Sequence, residues 1–169
     1  MKYFLAILII FTIVASFLFL NKPQDTSTTP IPKSVAPPSS RANVDFSAKF
    51  LIYTNGLKRD FSAPMYHEQS IDVFIESLKP NYVKVKKASV SWQDFFNTLP
   101  FKLTKKCLTT GTRQTYCDGS GGKLRFYLNG RQDPNLLDKT IFENDEALVT
   151  FGNESNAEIE KQLAELSTL

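Results

Sequence analysis

The stretch Lys123-Leu124-Arg125-Phe126-Tyr127-Leu128-Asn129-Gly130 constrains the fold more than any other. Leu124, Phe126 and Leu128 alternate with Arg125 and Tyr127, the period of a strand with one buried face. Asn-Gly follows at once, the pair that best tolerates the positive φ angles of a tight turn. A loop closed by two cysteines precedes the stretch, and a last strand and a last helix follow it. That order predicts a place near the middle of a sheet.

The first 41 residues cannot share a core with it. Residues 3–20 (YFLAILIIFTIVASFLFL) are apolar apart from Thr and Ser, and Lys2 precedes them. As a helix, 18 residues span about 27 Å, close to the hydrocarbon thickness of a bilayer. Two readings compete, an uncleaved anchor and a cleaved signal peptide. Ala15 and Ser16 lie inside the run, bulky residues follow them, and no A-x-A site closes it. The missing cleavage site favours an anchor over 1–20. Residues 21–41 carry five prolines and many Ser and Thr, a composition that cannot make a core and reads as a tether. Lys22, Lys33 and Arg41 on the far side weaken the assignment of orientation. The two-residue N-terminal flank and the cysteine pair favour a domain over 42–169 outside the cell membrane.

About 125 residues suffice for one globular domain. Fourteen Phe and six Tyr favour packed β structure. Residues 46–54 form the first strand, Asn55-Gly56 turns it, and 57–61 return as a hairpin partner. Residues 62–70 read as a loop. Strands follow over 71–77 and 82–87. Ser91 can cap a short helix in which Trp92, Phe95, Phe96 and Leu99 make one apolar stripe that packs on the sheet. Pro100 ends it. Residues 101–108 are strand-like. A polar loop follows Gly130, and the acidic turn Glu143-Asn144-Asp145-Glu146 opens the last strand over 147–151. Ser155 and Glu158 make a capping box for a final helix with Ile159, Leu163 and Leu166 on one face.

Charge is unevenly placed. From Lys79 to Arg131 there are 11 Lys and Arg against two acidic residues, and from Gln132 to the end two Lys against nine Asp and Glu. Self-pairing is the plain reading of such a separation. The sharper one is an anion-binding patch of Lys84, Lys86, Lys87, Lys102, Lys105 and Lys106, with anionic lipid, an envelope polymer or an acidic protein as partner. Nucleic acid is poorly placed outside the cell.

Cys107 and Cys117 are the candidates for covalent chemistry. A redox pair commonly has the spacing Cys-x-x-Cys, which lowers one thiol pKa. Nine intervening residues with a central Gly111 fit a disulfide-stapled hairpin instead. His67 has no nucleophile elbow for company. One histidine in the chain excludes a multi-histidine metal site. Asp118-Gly-Ser-Gly-Gly122 precedes a strand and lacks the lysine of a phosphate cradle. No catalytic residue and no cofactor is implied.

The tail Phe126-Tyr127-Leu128-Asn129-Gly130, Asn144-Asp145 and Phe151-Gly152 resembles the F-Y-V-N-G, G-D, Y-G tail of small β-grasp-like domains. The chain also resembles an uncharacterised family of membrane-anchored extracytoplasmic proteins, some named protein-disulfide isomerase. The matching motifs are Tyr53 to Gly56, Asp94-Phe95-Phe96, the two cysteines, Phe126 to Gly130, and Glu158-Ile159 with Gln162-Leu163. Most members also carry two H-x-H pairs that suggest a metal site. The matching positions here are Phe74, Glu76, Lys84 and Lys86, so no metal role carries over. The expectation is an α+β domain whose small β-grasp-like sheet is packed by a short helix, with a C-terminal helix after it. Its expected role is a membrane-anchored binding or interaction module. A thiol-disulfide oxidoreductase using Cys107 and Cys117 is the alternative, and a subunit with a purely structural role the third.

Overall fold

The computed structural model describes residues 42–119 and 121–169. The expected anchor and tether lie outside them. Among the described residues no helix is long and apolar enough to cross a membrane.

The architecture is α+β, with a mixed sheet and a C-terminal helix. The chain begins with β1 (Asn43–Thr54), β2 (Leu57–Lys58), β3 (Val73–Ile75) and β4 (Tyr82–Lys87). Helix α1 (Trp92–Thr98) precedes β5 (Lys102–Leu103), β6 (Cys107–Thr109) and β7 (Thr115–Cys117). Then come β8 (Lys123–Leu128), β9 (Arg131–Gln132), β10 (Glu146–Gly152) and α2 (Asn156–Ser167). The main sheet runs β3-β4-β1-β10-β8-β9, with β2 paired to the end of β1. A second sheet runs β5-β6-β7.

The centre is the parallel pair β1–β10, in register from Lys49 opposite Glu146 to Thr54 opposite Phe151. From Phe50 in β1 and Ala147 in β10 onward, both strands are buried on both faces. Phe50, Ile52, Ala147, Val149 and Phe151 join the larger core with α1. Leu51, Tyr53 and Leu148 join a smaller core with Leu166 of α2. Two-sided burial is what a central strand requires.

This also explains a correction. Strand β8 lies beyond β10, with only the two-residue β9 outside it, and is not central. Leu124 and Phe126 bury its inner face, while Arg125 and Tyr127 leave the other only half-buried. The strand is apolar on one side, so it takes the flank. The turn after it is as expected, with Asn129 at φ 52° and Gly130 at φ 76°. Asn55 (φ 52°) and Gly56 (φ 74°) repeat the arrangement between β1 and β2.

Helix α1 has the predicted stripe and cap. The Ser91 hydroxyl accepts from the Asp94 N–H at 3.1 Å, and the Asp94 carboxylate accepts from the Ser91 N–H at 2.9 Å. Trp92, Phe95 and Phe96 are fully buried; Phe95 and Phe96 pack on Phe50, and Trp92 packs on both of them. Helix α2 has the same reciprocal cap through Ser155 and Glu158.

Several expected segments differ. The hairpin return over 57–61 shortens to Leu57–Lys58 and the strand over 71–77 to Val73–Ile75. Residues 101–108 are not one strand but β5 and β6, parted by a turn. There the Cys107 carbonyl accepts from the Thr104 N–H at 2.9 Å, and the Thr104 hydroxyl accepts from the Cys107 N–H at 3.0 Å. The loop after Gly130 is not wholly polar. A 3₁₀ turn, Leu136–Asp138, buries Leu136 and Leu137 under α1.

Candidate functional site

Strand β2 is short, but its ladder continues one residue further. The Arg59 N–H donates to the Ile52 carbonyl at 2.8 Å. That bond sets Arg59 opposite Ile52, so both side chains leave on the same face. Ile52 belongs to the larger core, and Arg59 therefore points toward it rather than toward α2.

After Arg59 the chain leaves the sheet. Asp60 makes the corner: its carboxylate accepts from the Ser62 N–H at 2.9 Å and the Ser62 hydroxyl at 2.8 Å. These bonds hold the Asp60 carboxyl below its usual pKa, so it is an anion already satisfied. Phe61 turns inward and meets Phe50, Tyr66 and Phe101 at ring separations of 5.0, 5.1 and 6.0 Å. Pro64 starts a 3₁₀ turn, Pro64–Tyr66, where its fixed φ suits the first position. His67 closes the loop, its Nε2–H donating to the Phe61 carbonyl at 2.9 Å. This role occupies the nitrogen in holding the backbone.

The opposite wall is the β6–β7 hairpin. Cys107 faces Cys117 in register, and the two are joined by a disulfide. The neighbouring pair is tied by the Asp118 N–H to the Lys106 carbonyl at 2.7 Å. Cys107 and Cys117 thus occupy a non-hydrogen-bonded site, where opposed Cα atoms come closest. Their Cα separation is 4.1 Å. The hairpin tip folds over the second residue after α1: a Cβ on Gly111 would stand 3.0 Å from the Pro100 carbonyl oxygen. Glycine is what permits that approach.

Between these walls lies a cavity of about 330 Å³. Ile52, Phe61 and Leu108 form its buried floor, and Tyr66 and Phe101 its sides. Thr110, Gly111 and Thr112 of the hairpin tip close one end. Met65 stands at the mouth, 53% exposed.

Arg59 is the cation of this cavity. Its Nη2 donates to Tyr116 Oη at 2.8 Å, and its Cζ lies 5.5 Å from the Tyr116 ring centroid. Its Nε is buried and has no hydrogen-bond partner. Among the described residues it makes no ion pair. The Thr110 and Thr112 hydroxyls bond to each other at 2.9 Å. The lining is mostly apolar, with Arg59, Asp60, Thr110 and Thr112 among its charged and hydroxyl-bearing members.

The predicted lysines are divided between the two sides of the main sheet. Lys84 and Lys86 alternate with the core residues Val83 and Val85, so they face away from α1. Both bond Asp45, Lys86 at 2.8 Å, and together they pull the Asp45 carboxyl down to about 2. Lys87 pairs with Asp72 at 3.3 Å on the edge. Lys105 bonds Asp138 beside the 3₁₀ turn that packs on α1. Lys102 and Lys106 are exposed. Of the four positions matching the H-x-H pairs, Phe74 and Lys84 are directly paired across β3 and β4. Among the described residues, no cluster of three or more His, Cys, Asp or Glu could hold a metal ion.

Sequence reasoning missed the cavity. The usable signal was Pro64-Met65-Tyr66, an apolar triplet in an otherwise polar loop, close to Arg59 in a chain that had just left a hairpin. Comparison with known proteins returns no match to any family model, curated protein or solved structure.

Proposed function

We propose that this chain is a membrane-anchored, extracytoplasmic binding module whose ligand seat is the cavity between Arg59 and the disulfide-stapled hairpin. Residues 1–20 anchor it, 21–41 tether it, and 42–169 form a β-grasp-like domain. The β-grasp-like reading is supported by the order β4-β1-β10-β8-β9 with a parallel pair in the centre and α1 between β4 and β8 in the chain. The observation that carries the function is the open, aromatic-sided cavity of about 330 Å³, within the size range of small-ligand sites.

The test is saturation-transfer NMR on the full chain in nanodiscs, with 3-phenylpropanol and 3-phenylpropionate as probes. Binding of either is expected, and Met65→Trp, which plugs the mouth from an exposed position, should abolish it while leaving the melting temperature in place. If neither probe binds, or if both bind equally to Met65→Trp, the cavity is not a ligand seat.

The thiol-disulfide enzyme is separated by the reduction potential of Cys107–Cys117 and by alkylation. A potential below about −300 mV with no reactive thiol belongs to a staple, and one near −200 to −120 mV with a readily alkylated thiol belongs to an oxidoreductase.

A further inference from the structure

From Arg59 we infer the class of ligand: an apolar body, aromatic or aliphatic, that carries one carboxylate. The inference rests on the cavity being the binding seat. The lining is apolar and aromatic at Ile52, Phe61, Tyr66 and Phe101, so the part of the ligand that enters must shed water cheaply. Arg59 then sets the polar end. Arginine's five donors lie in a rigid planar fork that matches a carboxylate. Here one donor group, Nη2, is spent on Tyr116, Nε is buried without an acceptor, and Nη1 makes no hydrogen bond among the described residues.

A buried donor without a partner is costly, and proteins rarely leave one so. Arg125 makes the contrast. Its Nε is also unpartnered, but its Nη2 is paired with Glu154 at 2.9 Å, so its charge is compensated inside the fold. The Arg59 charge has no such carboxylate among the described residues. The one carboxylate lining the cavity, Asp60, has its oxygens turned to Ser62. An incoming carboxylate supplies an acceptor for Nη1 and the missing countercharge. Tyr116 holds the guanidinium from the far side, its own ring packed on Phe151 at 5.2 Å, so the fork is oriented before the ligand arrives.

Two sources share this chemistry, a free apolar acid and the C-terminal residue of a polypeptide. The experiment is calorimetric titration of the full chain in nanodiscs with four probes: 3-phenylpropionate, 3-phenylpropanol, acetyl-Ala-Phe with a free carboxyl, and its C-terminal amide. Each titration is repeated on Arg59→Gln, with circular dichroism to verify folding. The expected result is at least about tenfold tighter binding of an acid over its neutral counterpart, a margin that Arg59→Gln removes. Tighter binding of the peptide acid than of phenylpropionate assigns a polypeptide terminus, and the reverse assigns a free acid. Equal binding of acid and neutral probe, or an acid preference that survives in folded Arg59→Gln, overturns the carboxylate inference while leaving the cavity a binding seat. Failure of all four probes overturns both.

Discussion

The Arg59 guanidinium donates from Nη2 to Tyr116 Oη at 2.8 Å and lies over the same ring, linking the end of β2 to β7 of the second sheet. The two sheets share no strand, so this contact helps to fix the hairpin wall against the cavity floor. Tyr116→Phe keeps the ring on Phe151 and under the cation but removes the acceptor. The expected loss is about 1.5–3 kcal/mol, the net worth of one hydrogen bond from a charged donor. Urea unfolding of the two chains side by side measures it, and an unchanged midpoint would show that stacking alone holds the wall.

The disulfide works on the same wall. Joining Cys107 to Cys117 closes a short loop, which stabilises by about 2.5–3 kcal/mol through the unfolded chain. Cys107→Ser with Cys117→Ser should cost about that much. Because the pair lies at the open end of the hairpin, the loss should fall unevenly. Amide exchange over Thr109–Thr115 should rise far more than exchange in β1 and β10. Uniform acceleration across both sheets would contradict a local staple.

What could be read from the sequence is what neighbouring residues decide. Asn55-Gly56 and Asn129-Gly130 declare their turns because only such residues take positive φ cheaply, and both do. Ser91 with Asp94 and Ser155 with Glu158 declare their caps at a spacing of three, and both boxes form. Strand 82–87 matches to the residue, since Val83 and Val85 alternate with lysines. The place of β8 was misread because sheet order depends on pairing between distant strands, as in Lys49 opposite Glu146. The cavity was invisible for the same reason: Arg59, Tyr66, Phe101 and Leu108 come from four separate segments. The division of the lysines was partly readable, because the alternation in β4 already sets Lys84 and Lys86 opposite the valine face.

Asn129 does more than turn the chain. Its Nδ2 donates to Asp145 Oδ1 at 2.9 Å, and its Oδ1 accepts from the Glu146 N–H at 2.8 Å. The Asp145 carboxylate also accepts from the Phe142 N–H at 2.9 Å, so one side chain ties the β8–β9 turn to the acidic turn before β10. Asn129→Gly keeps the backbone conformation and loses the bonds. Asn129→Ala loses the bonds and sets at φ 52° a residue that takes left-handed backbone less readily than asparagine. Stability should fall in that order, with the alanine variant down by about 2–3 kcal/mol. Thermal melts of the three chains rank them, and a glycine variant less stable than the alanine one would refute this account of the turn.

The last relationship ties α2 to the sheet and makes stability depend on pH. Tyr53 Oη donates to Glu165 Oε2 at 2.5 Å, and Lys58 bonds Glu165 Oε1 at 2.6 Å. Burial first, and the neighbouring Glu165 carboxylate second, raise the Tyr53 pKa above its usual range. The unfolded chain then releases this proton at about pH 10, while the folded chain still holds it. The stabilisation is complete below pH 10 and is lost as pH climbs through the folded value. At the acid end the sign reverses. Lys58 first, and the Tyr53 hydroxyl next, lower the Glu165 pKa, so its contribution is present above the unfolded pKa, about 4.3, and drains away as pH falls below it. Tyr53→Phe should cost about 1.5–3 kcal/mol at pH 7, the range for a hydrogen bond to a charged group, and flatten the decline above pH 10. Glu165→Gln should flatten the acid limb and only soften the alkaline one, because burial, the larger cause of the tyrosine's raised pKa, stays in place. Urea midpoints taken from pH 3 to pH 11 separate the cases, and a Tyr53→Phe curve parallel to the wild type above pH 10 would show that another group governs the alkaline limb.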